Sequence, residues 1–522
     1  MIVKLNDVKN IDLSIFSNFE GLTPDEFFFN NAPGRQHYKL LAYLSTLFND
    51  VDIFDIGTHM GSSALALSYN PNNRVYTFDL LDKIKPGPNS IKSRPNVTFS
   101  QDNLMEEAGR EEWEERLLKS PLIFFDIDPH DGFLEYEFYK YLIQKNYQGL
   151  LICDDIYYFK GMRDKFWYLI PSEHKYSITH FGHWSGTGVV CLNKDHPITF
   201  EGVSKIPNNW TLVTAYFDLT KMEDASTEIV KRPASHYLSQ SNATLGTDAN
   251  MIIFCEEENK DTILKYRPKH LHDKTLIITQ SFEDFPLTKY RQHIIENRKS
   301  HPYQFDNRNT ASYYLFCMAR YAMLKQSIET NPFNSTHFAW INICIERMGY
   351  SNLVHLEEAF SLNRDKFSTC YIDYIPHFLI NNTNEYFNRG RCSMCSGFFT
   401  GRADYMKQFC DLIEEKFLYY LKLGYGHADE QLYSPVYFDH PEIFDWYLGD
   451  YFQMITNYAH VYERPDAPIN NLIRNSFNNK DYKVCYEACT KLWDSVIKGK
   501  VQLDSNSLST FMNCFNECKK NI

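Results

Sequence analysis

The sequence predicts an α/β protein of two successive sheet-containing units with a helical C-terminal tail, and three features carry that prediction. Over the first ~215 residues, short β-rich runs alternate with helical patterns, as a layered α/β domain requires. A polar, mixed stretch from Thr220 to Asp248 interrupts the pattern, and a second α/β pattern opens at Met251-Ile-Ile-Phe-Cys255. The segment Ile469 to Ile522 reads as helix, with apolar periodicity through Val484, Tyr486, Cys489, Leu492, Trp493 and Val496. The expected organisation is therefore a domain over 1–219, a linker over 220–248, a domain over 249–468 and an extension over 469–522.

Composition narrows the function classes. The 522 residues carry a net charge of −13, and no Lys/Arg cluster is denser than the loop Lys83 to Arg94, so a phosphate-backbone partner is not expected. The opening MIVKLNDVKNIDLS has no apolar run of signal-peptide length, and nowhere do about 18 apolar residues run together. A soluble, cytoplasmic protein without a membrane span is expected, and a homo-oligomer is left open. Thirteen Cys without framework spacing fit a reducing compartment.

In the first domain the strands read Val51–Asp55, Arg74–Asp79, Asn96–Ser100, Leu122–Asp126 and Gly149–Asp154, with an apolar helical face over Leu134–Lys145 between the last two. A helix-like segment follows Asp155 to about Ile170, and Lys175–His180 with Gly188–Leu192 form a terminal strand pair. In FDIGTHMGSSALALS the first strand ends at Asp55, Gly57 and Gly61 flank a tight turn around Thr58, and a helix starts near Ser62. Glycines there let backbone approach a ligand, and the helix N-terminus offers free N–H groups. A G-x-G-x-x-G dinucleotide fingerprint is not met, because position 59 holds His and position 62 holds Ser. Asp79 ends the second strand, where a carboxylate can take both ribose hydroxyls, and Asp102 follows the third, where it can accept from an adenine amine.

This order resembles the class I S-adenosylmethionine-dependent methyltransferases, a Rossmann-like fold. The resemblance implies S-adenosylmethionine as cofactor, contacted by Asp55, Gly57, Thr58, Gly61, Asp79 and Asp102. The stretch IFFDIDPHDG places Asp126, Asp128, His130 and Asp131 at one strand tip, and ICDD places Asp154 and Asp155 at the next. Carboxylates sharing a site need a compensating cation, and oxygen ligands suit Mg²⁺, with Mn²⁺ as the substitute. The spacing is similar to that of cation-dependent O-methyltransferases acting on sugar hydroxyls. That resemblance implies Asp126, Asp154 and Asp155 as metal ligands and His130, ahead of Asp128, as general base. Pro129 stands about where catechol-type enzymes carry a basic residue, which disfavours a catechol substrate.

In the second domain, NMIIFCEEENKDTILKYRP resembles the opening of GT-A glycosyltransferases, which implies Arg267 as a nucleotide contact. The blocks FAWIN (338–342), CSGFFTG (395–401), HADEQ (427–431) and YFDHPE (437–442) resemble the HtrL/YibB family over about 250–465. The resemblance implies a GT-A-like domain with a nucleotide sugar as co-substrate, and Asp429 and Glu430 as base or acceptor ligands. GT-A enzymes hold a divalent cation through an acidic residue after the central strand, and that position here is Asn342, a weaker, neutral ligand. Trp340, Phe398, Phe399 and Trp446 read as core aromatics, and Cys392-Ser-Met-Cys395 as a reduced pair lacking a second pair of zinc ligands.

The whole reads as a bifunctional glycan-modifying enzyme, in which cation-assisted methylation of a sugar hydroxyl is coupled to a glycosyltransferase-like domain. Tethering the two raises the effective concentration of a shared intermediate. The arrangement is similar to glycan-decorating enzymes of giant viruses and bacterial surface-polysaccharide loci, which would place a viral protein in the host cytoplasm. Two alternatives stand beside it. The second domain binds glycan without turnover, or the first is an NAD-linked or hydroxylase-like oxidoreductase on the same fold.

Overall fold

Leu122-Ile-Phe-Phe125 and Leu150-Leu-Ile-Cys153 are apolar at every position because both faces of their strands are buried, the pattern of a parallel sheet covered on two sides. They lie at the centre of one of two large sheets in the computed structural model. The structure describes residues 2–22, 28–29, 37–171, 174–179, 181–183, 185–193, 198–201, 206–300, 309–350, 353, 355–388, 391–426 and 428–522. The chain is a mixed α/β protein that divides into two units, 1–204 and 205–522, each with a seven-stranded mixed sheet.

Unit 1 contains strands β1 (Asp52–Ile56), β2 (Arg74–Phe78), β3 (Val97–Ser100), β4 (Leu122–Phe125), β5 (Leu150–Cys153), β6 (Lys175–Ser177) and β7 (Gly188–Cys191), in the order β3-β2-β1-β4-β5-β7-β6. The first five are parallel, and β7 runs antiparallel to both its neighbours. Alternate residues feed opposite cores, as the two-residue period of a strand dictates. Ile53, Leu122, Phe124 and Ile152 join helix α1 (His37–Thr46) in one core, while Phe54, Ile123, Phe125 and Leu151 meet helix α3 (Phe133–Gln144) in the other. Between β1 and β2 runs helix α2 (Ser62–Leu67), every residue of it buried.

Unit 2 contains β8 (Trp210–Tyr216), β9 (Asn250–Cys255), β10 (Thr275–Thr279), β11 (His337–Ile341), β12 (Ser368–Tyr371), β13 (Met394–Arg402) and β14 (Tyr447–Leu448), in the order β10-β9-β8-β11-β13-β12-β14. Here β13 is the antiparallel strand, between β11 and β12. Two long helices, α4 (Ala311–Thr330) and α5 (Ala403–Lys422), pack on one face. Trp340, Phe398, Phe399 and Trp446 are all buried in the two cores of this unit.

Two expectations about the chain's organisation are corrected, and the expected helical tail is present. Trp210–Tyr216, expected within the first domain, is the central strand of the second sheet, paired with β9 and β11. The expected linker 220–248 contains the short helices Thr227–Val230, Ala234–Leu238 and Asn242–Leu245, and buries Leu238, Ala243 and Leu245 in the unit 2 core. A few apolar side chains in polar sequence suffice to hold a segment down once a core is present. The tail is also part of unit 2, since Ile469, Leu472, helix α7 (Tyr482–Ile497) and helix α8 (Ser505–Asn521) share one core with the sheet. The strand expected over 175–180 ends at Ser177, and His180 lies outside the described residues. Among the described residues no helix is long and apolar enough to cross a membrane.

Candidate active sites

In unit 1 the sheet delivers β1, β2, β4 and β5 to a common edge, with their C-terminal ends side by side. Asp126 N–H donates to Ile56 O at 2.9 Å and Asp154 N–H to Phe125 O at 3.2 Å, which continues the ladder one residue past the strands and aligns the acidic tips. Gly57, at φ 105°, is where the approach is closest: a Cβ there would stand 1.6 Å from Asp126 O. Only glycine tolerates that position. Three non-glycine residues at these tips also occupy the left-handed region, His59, His130 and Asp155 at φ 45°, 55° and 55°, and strain of this kind concentrates at functional sites.

A cavity of about 600 Å³ opens at this edge. Gly57, Asp79, Asp102, Asp126, Asp128 and His130 all line it. Asp79 accepts from His59 N–H at 2.7 Å and Leu81 N–H at 3.1 Å, which fixes its carboxylate at the rim. Asp102 is held by Ser100 Oγ at 2.5 Å and Trp113 Nε1 at 2.9 Å. Of the expected cofactor contacts, Asp55, Thr58 and Gly61 are not among the cavity's lining residues. Asp55 is fully buried beneath the turn, where Thr77 Oγ1 donates to it at 2.5 Å and burial pushes its carboxyl up to about 7. The Thr58 hydroxyl meets that of Thr77 at 2.5 Å, and Gly61 begins α2 at φ 92°.

The three expected metal ligands converge, and they do so in two overlapping groups. Donor atoms of Asp126, His130 and Asp155 lie within 4.8 Å of one another, as do those of Asp154, Asp155 and His183. Asp155 belongs to both. His130 Nε2 faces Asp128, Asp155 and Asp126 at 3.6, 3.7 and 3.9 Å, and its ring stacks on Phe159 with centroids 4.6 Å apart. Behind them, His37 Nε2 lies 3.9 Å from Asp154 Oδ2 and His183 Nδ1 lies 3.7 Å from it. Burial raises the carboxyls of Asp126 and Asp154, and neighbouring carboxylates add to the effect, Asp155 first for Asp126 and Asp126 first for Asp154. Burial, followed by the His183 charge, pushes His37 well below its ordinary range. Among the described residues the buried Nδ1 atoms of His37 and His130 have no hydrogen-bond partner. Crowded carboxylates with an imidazole nitrogen of His130 or His183 beside them are a donor set that a divalent cation fits. The sequence reading missed His37 and His183, because neither stands near ICDD in the chain. Asp131 serves its own loop, accepting from Phe133 N–H at 2.8 Å.

Unit 2 has a cavity of about 340 Å³ past the ends of β8 and β11, lined by Asp218, Arg232, Arg320, Trp340, Asn342 and Arg347 among others. Arg267, expected at a nucleotide, is elsewhere: it is 1% exposed and donates to the carbonyls of Leu245, Thr247 and Ala249 and to Thr275 Oγ1 at 2.7–2.9 Å. Its guanidinium ties the 245–249 turn to the sheet. Asp429 is 1% exposed, accepts from Tyr321 Oη at 2.5 Å, and pairs with Arg320 at 3.2 Å. Glu430 begins helix α6 (Glu430–Asp439) and accepts from Ser396 N–H at 2.9 Å and Tyr451 Oη at 2.8 Å. Both acids hold the framework behind the cavity rather than facing into it. Asn342 Oδ1 accepts from Trp340 Nε1 at 3.0 Å. Cys392 and Cys395 are free thiols, and His427 lies outside the described residues.

No curated protein matches the sequence. Among solved structures, mouse xyloside xylosyltransferase 1 in its apo form matches at 11% identity and TM-score 0.28, covering 45% of this chain and 84% of that one. Core-mannan synthase A from Aspergillus fumigatus, in its Mn/GDP form, matches at 11% identity and TM-score 0.26, covering 46% of this chain and 72% of that one. Residues 208–460 match the family HtrL_YibB, described as a bacterial protein of unknown function. The match takes in β8 at its start, so the resemblance read over 250–465 extends upstream to the first strand of unit 2.

Proposed function

We propose that the chain is a bifunctional glycan-modifying enzyme, with a cation-assisted O-methyltransferase in unit 1 and a glycosyltransferase-like unit 2 that takes a nucleotide sugar. The observation that carries the unit 1 reading is the 600 Å³ cavity, in which Gly57, Asp79 and Asp102 adjoin a cluster of carboxylates and imidazoles at the same strand tips. Open α/β sheets bind ligands in that crevice. The strand order, with its antiparallel β7, is the arrangement the methyltransferase resemblance leads one to expect.

In this reading Asp79 accepts from the ribose hydroxyls of S-adenosylmethionine and Asp102 from the adenine amine. Asp126, Asp154 and Asp155 hold the cation, with His183 completing the set and His37 braced behind Asp154. When bound, the cofactor supplies an electrophilic methyl group, and the cation lowers the pKa of a chelated sugar hydroxyl. His130 Nε2, which faces the carboxylate cluster, would take the proton of the hydroxyl that accepts the methyl group. For unit 2, the support is the strand order β10-β9-β8-β11-β13-β12-β14, with a cavity at the tips of its two central parallel strands.

The test begins with thermal shift. S-adenosylhomocysteine should stabilise the full chain and NAD should not, and Asp79→Ala should abolish the shift. Mass spectrometry of a glycan extract incubated with S-adenosylmethionine should then show a methyl gain that disappears with EDTA or in Asp154→Ala, while cofactor binding persists. Stabilisation by NAD alone would replace this reading with the oxidoreductase one.

A further inference from the structure

Three guanidinium groups converge on the unit 2 cavity, and their surroundings differ from those of arginines held for structure. Arg320 is 4% exposed, yet it lines the cavity and its buried Nε has no hydrogen-bond partner among the described residues. Its Nη1 is fixed from behind, by Ser396 O at 2.7 Å and by Asp429 at 3.2 Å, and its guanidinium lies over Trp340 with 5.3 Å to the ring centroid. Burial, the largest single cause, would lower its pKa, but the Asp429 carboxylate and, after it, Cys317, Tyr321 and Tyr433 together raise it and keep the group charged. Arg347 lies over Tyr237 at 5.2 Å, and Arg232 lines the same wall. Both are close enough to His236 to depress its pKa, after burial as the larger cause. Guanidinium groups gathered around one cavity repel one another, and an anion bound between them relieves that repulsion.

The acidic side is weak by comparison. Asp218 is the one carboxylate among the described lining residues, and it already has partners: Thr220 N–H and Oγ1 donate to its Oδ1 at 3.1 and 2.6 Å, and Lys221 Nζ is 3.8 Å from its Oδ2. Asn342, where a metal-binding acid would stand, offers a neutral amide oxygen that already accepts from the Trp340 indole. The same amide group also carries N–H donors. The chemistry of the cavity is therefore donors and fixed positive charge, which suits phosphate oxygens and not a cation.

We infer that this cavity is a diphosphate site in which Arg232, Arg320 and Arg347 take the place of a bridging divalent cation. The inference rests on the nucleotide-sugar reading of unit 2 and deepens it: the leaving diphosphate would be neutralised by guanidinium groups, and unit 2 would work in the presence of chelator while unit 1 would not.

Isothermal titration calorimetry on the full chain tests this with UDP, GDP and inorganic diphosphate, each in EDTA and in Mn²⁺. Affinity in EDTA should equal that in Mn²⁺ within about threefold, and each arginine removed should weaken it about tenfold or more, the loss of a charge-assisted hydrogen bond. Arg232→Ala and Arg347→Ala, on the cavity wall, are the variants of choice, with circular dichroism confirming the fold. Arg347→Lys should recover only part of the loss, because a lysine cannot bind bidentately. Binding that disappears in EDTA and returns with Mn²⁺, or that survives the double variant, overturns the inference. If inorganic diphosphate binds in EDTA through the arginines but neither nucleotide does, the anion site stands and the nucleotide-sugar reading falls. If none of the three binds, the inference falls with it.

Discussion

The two units share the strand order 3-2-1-4 across their first four strands, and each opens a cavity at the tips of its central pair, yet those tips carry opposite chemistry. Unit 1 presents Asp126, Asp154 and Asp155 with His130 and His183, while unit 2 presents Arg232, Arg320 and Arg347. A parallel sheet provides a crevice wherever its strand order reverses, but the side chains that follow each strand decide what enters it. The same strand order thus presents acids with imidazoles in one case and guanidinium groups in the other. Even the buried acids differ in role, since Asp154 faces a candidate cation and Asp429 neutralises an arginine.

Four experiments would break or sharpen that contrast. The largest effect expected is on unit 1 chemistry, where Asp154→Ala should reduce methyl transfer to background while leaving nucleotide binding by unit 2 intact. Next, Asp429→Asn should destabilise unit 2 by about 3–5 kcal/mol, the cost of leaving a buried Arg320 without its counter-ion. Urea unfolding read unit by unit through hydrogen exchange would show it, and an inactive but fully stable variant would restore Asp429 as a direct participant in catalysis.

Leu492→Ala, in the tail helix α7, should cost about 2–5 kcal/mol and lower protection in β12 and β13, because its side chain is fully buried in the core they share. Loss of protection confined to α7 and α8 would return the tail to the status of an extension. The smallest effect concerns Glu135, 1% exposed at the start of α3, whose carboxyl burial raises from 4.5 to about 7. Between those values the folded state keeps a proton that the unfolded chain has lost, so unit 1 loses stability as pH rises through that window and levels off above it. In EDTA, Glu135→Gln should remove about 2–3 kcal/mol of that decline between pH 5 and pH 8, measured by exchange in β5.

Much of the fold was legible in the chain. The runs IFF and LLIC announced buried parallel strands, and the acidic residues closing them announced the edge where they gather. What misled was β8: WTLVTAY follows the last strand of unit 1 closely, and nothing in its period says which sheet it will join. The linker reading of 220–248 failed for a related reason, since polar composition does not reveal that Leu238, Ala243 and Leu245 meet a core that joins Trp210 and Met251 to residues as far along the chain as Ala339 and Phe398. At the sites, Asp79, Asp102, Asp126, His130, Asp154 and Asp155 could be picked out from their places after strands. His37, His183, Arg232, Arg320 and Arg347 could not.

By itself, then, the sequence determined the α/β class, the strands of unit 1 and the convergence of acids at its tips, because hydrophobic period and strand ends are local properties of the chain. Only the tertiary structure decided the partition at 204–205, the incorporation of the tail, and the roles of the buried charges. Arg267 and Arg320 look alike in sequence, but one is spent on three carbonyls and a hydroxyl, while the other, anchored by Asp429, has its Nε unpartnered at a cavity. That difference lies in which groups the fold brings within hydrogen-bonding distance, and no spacing along the chain encodes it.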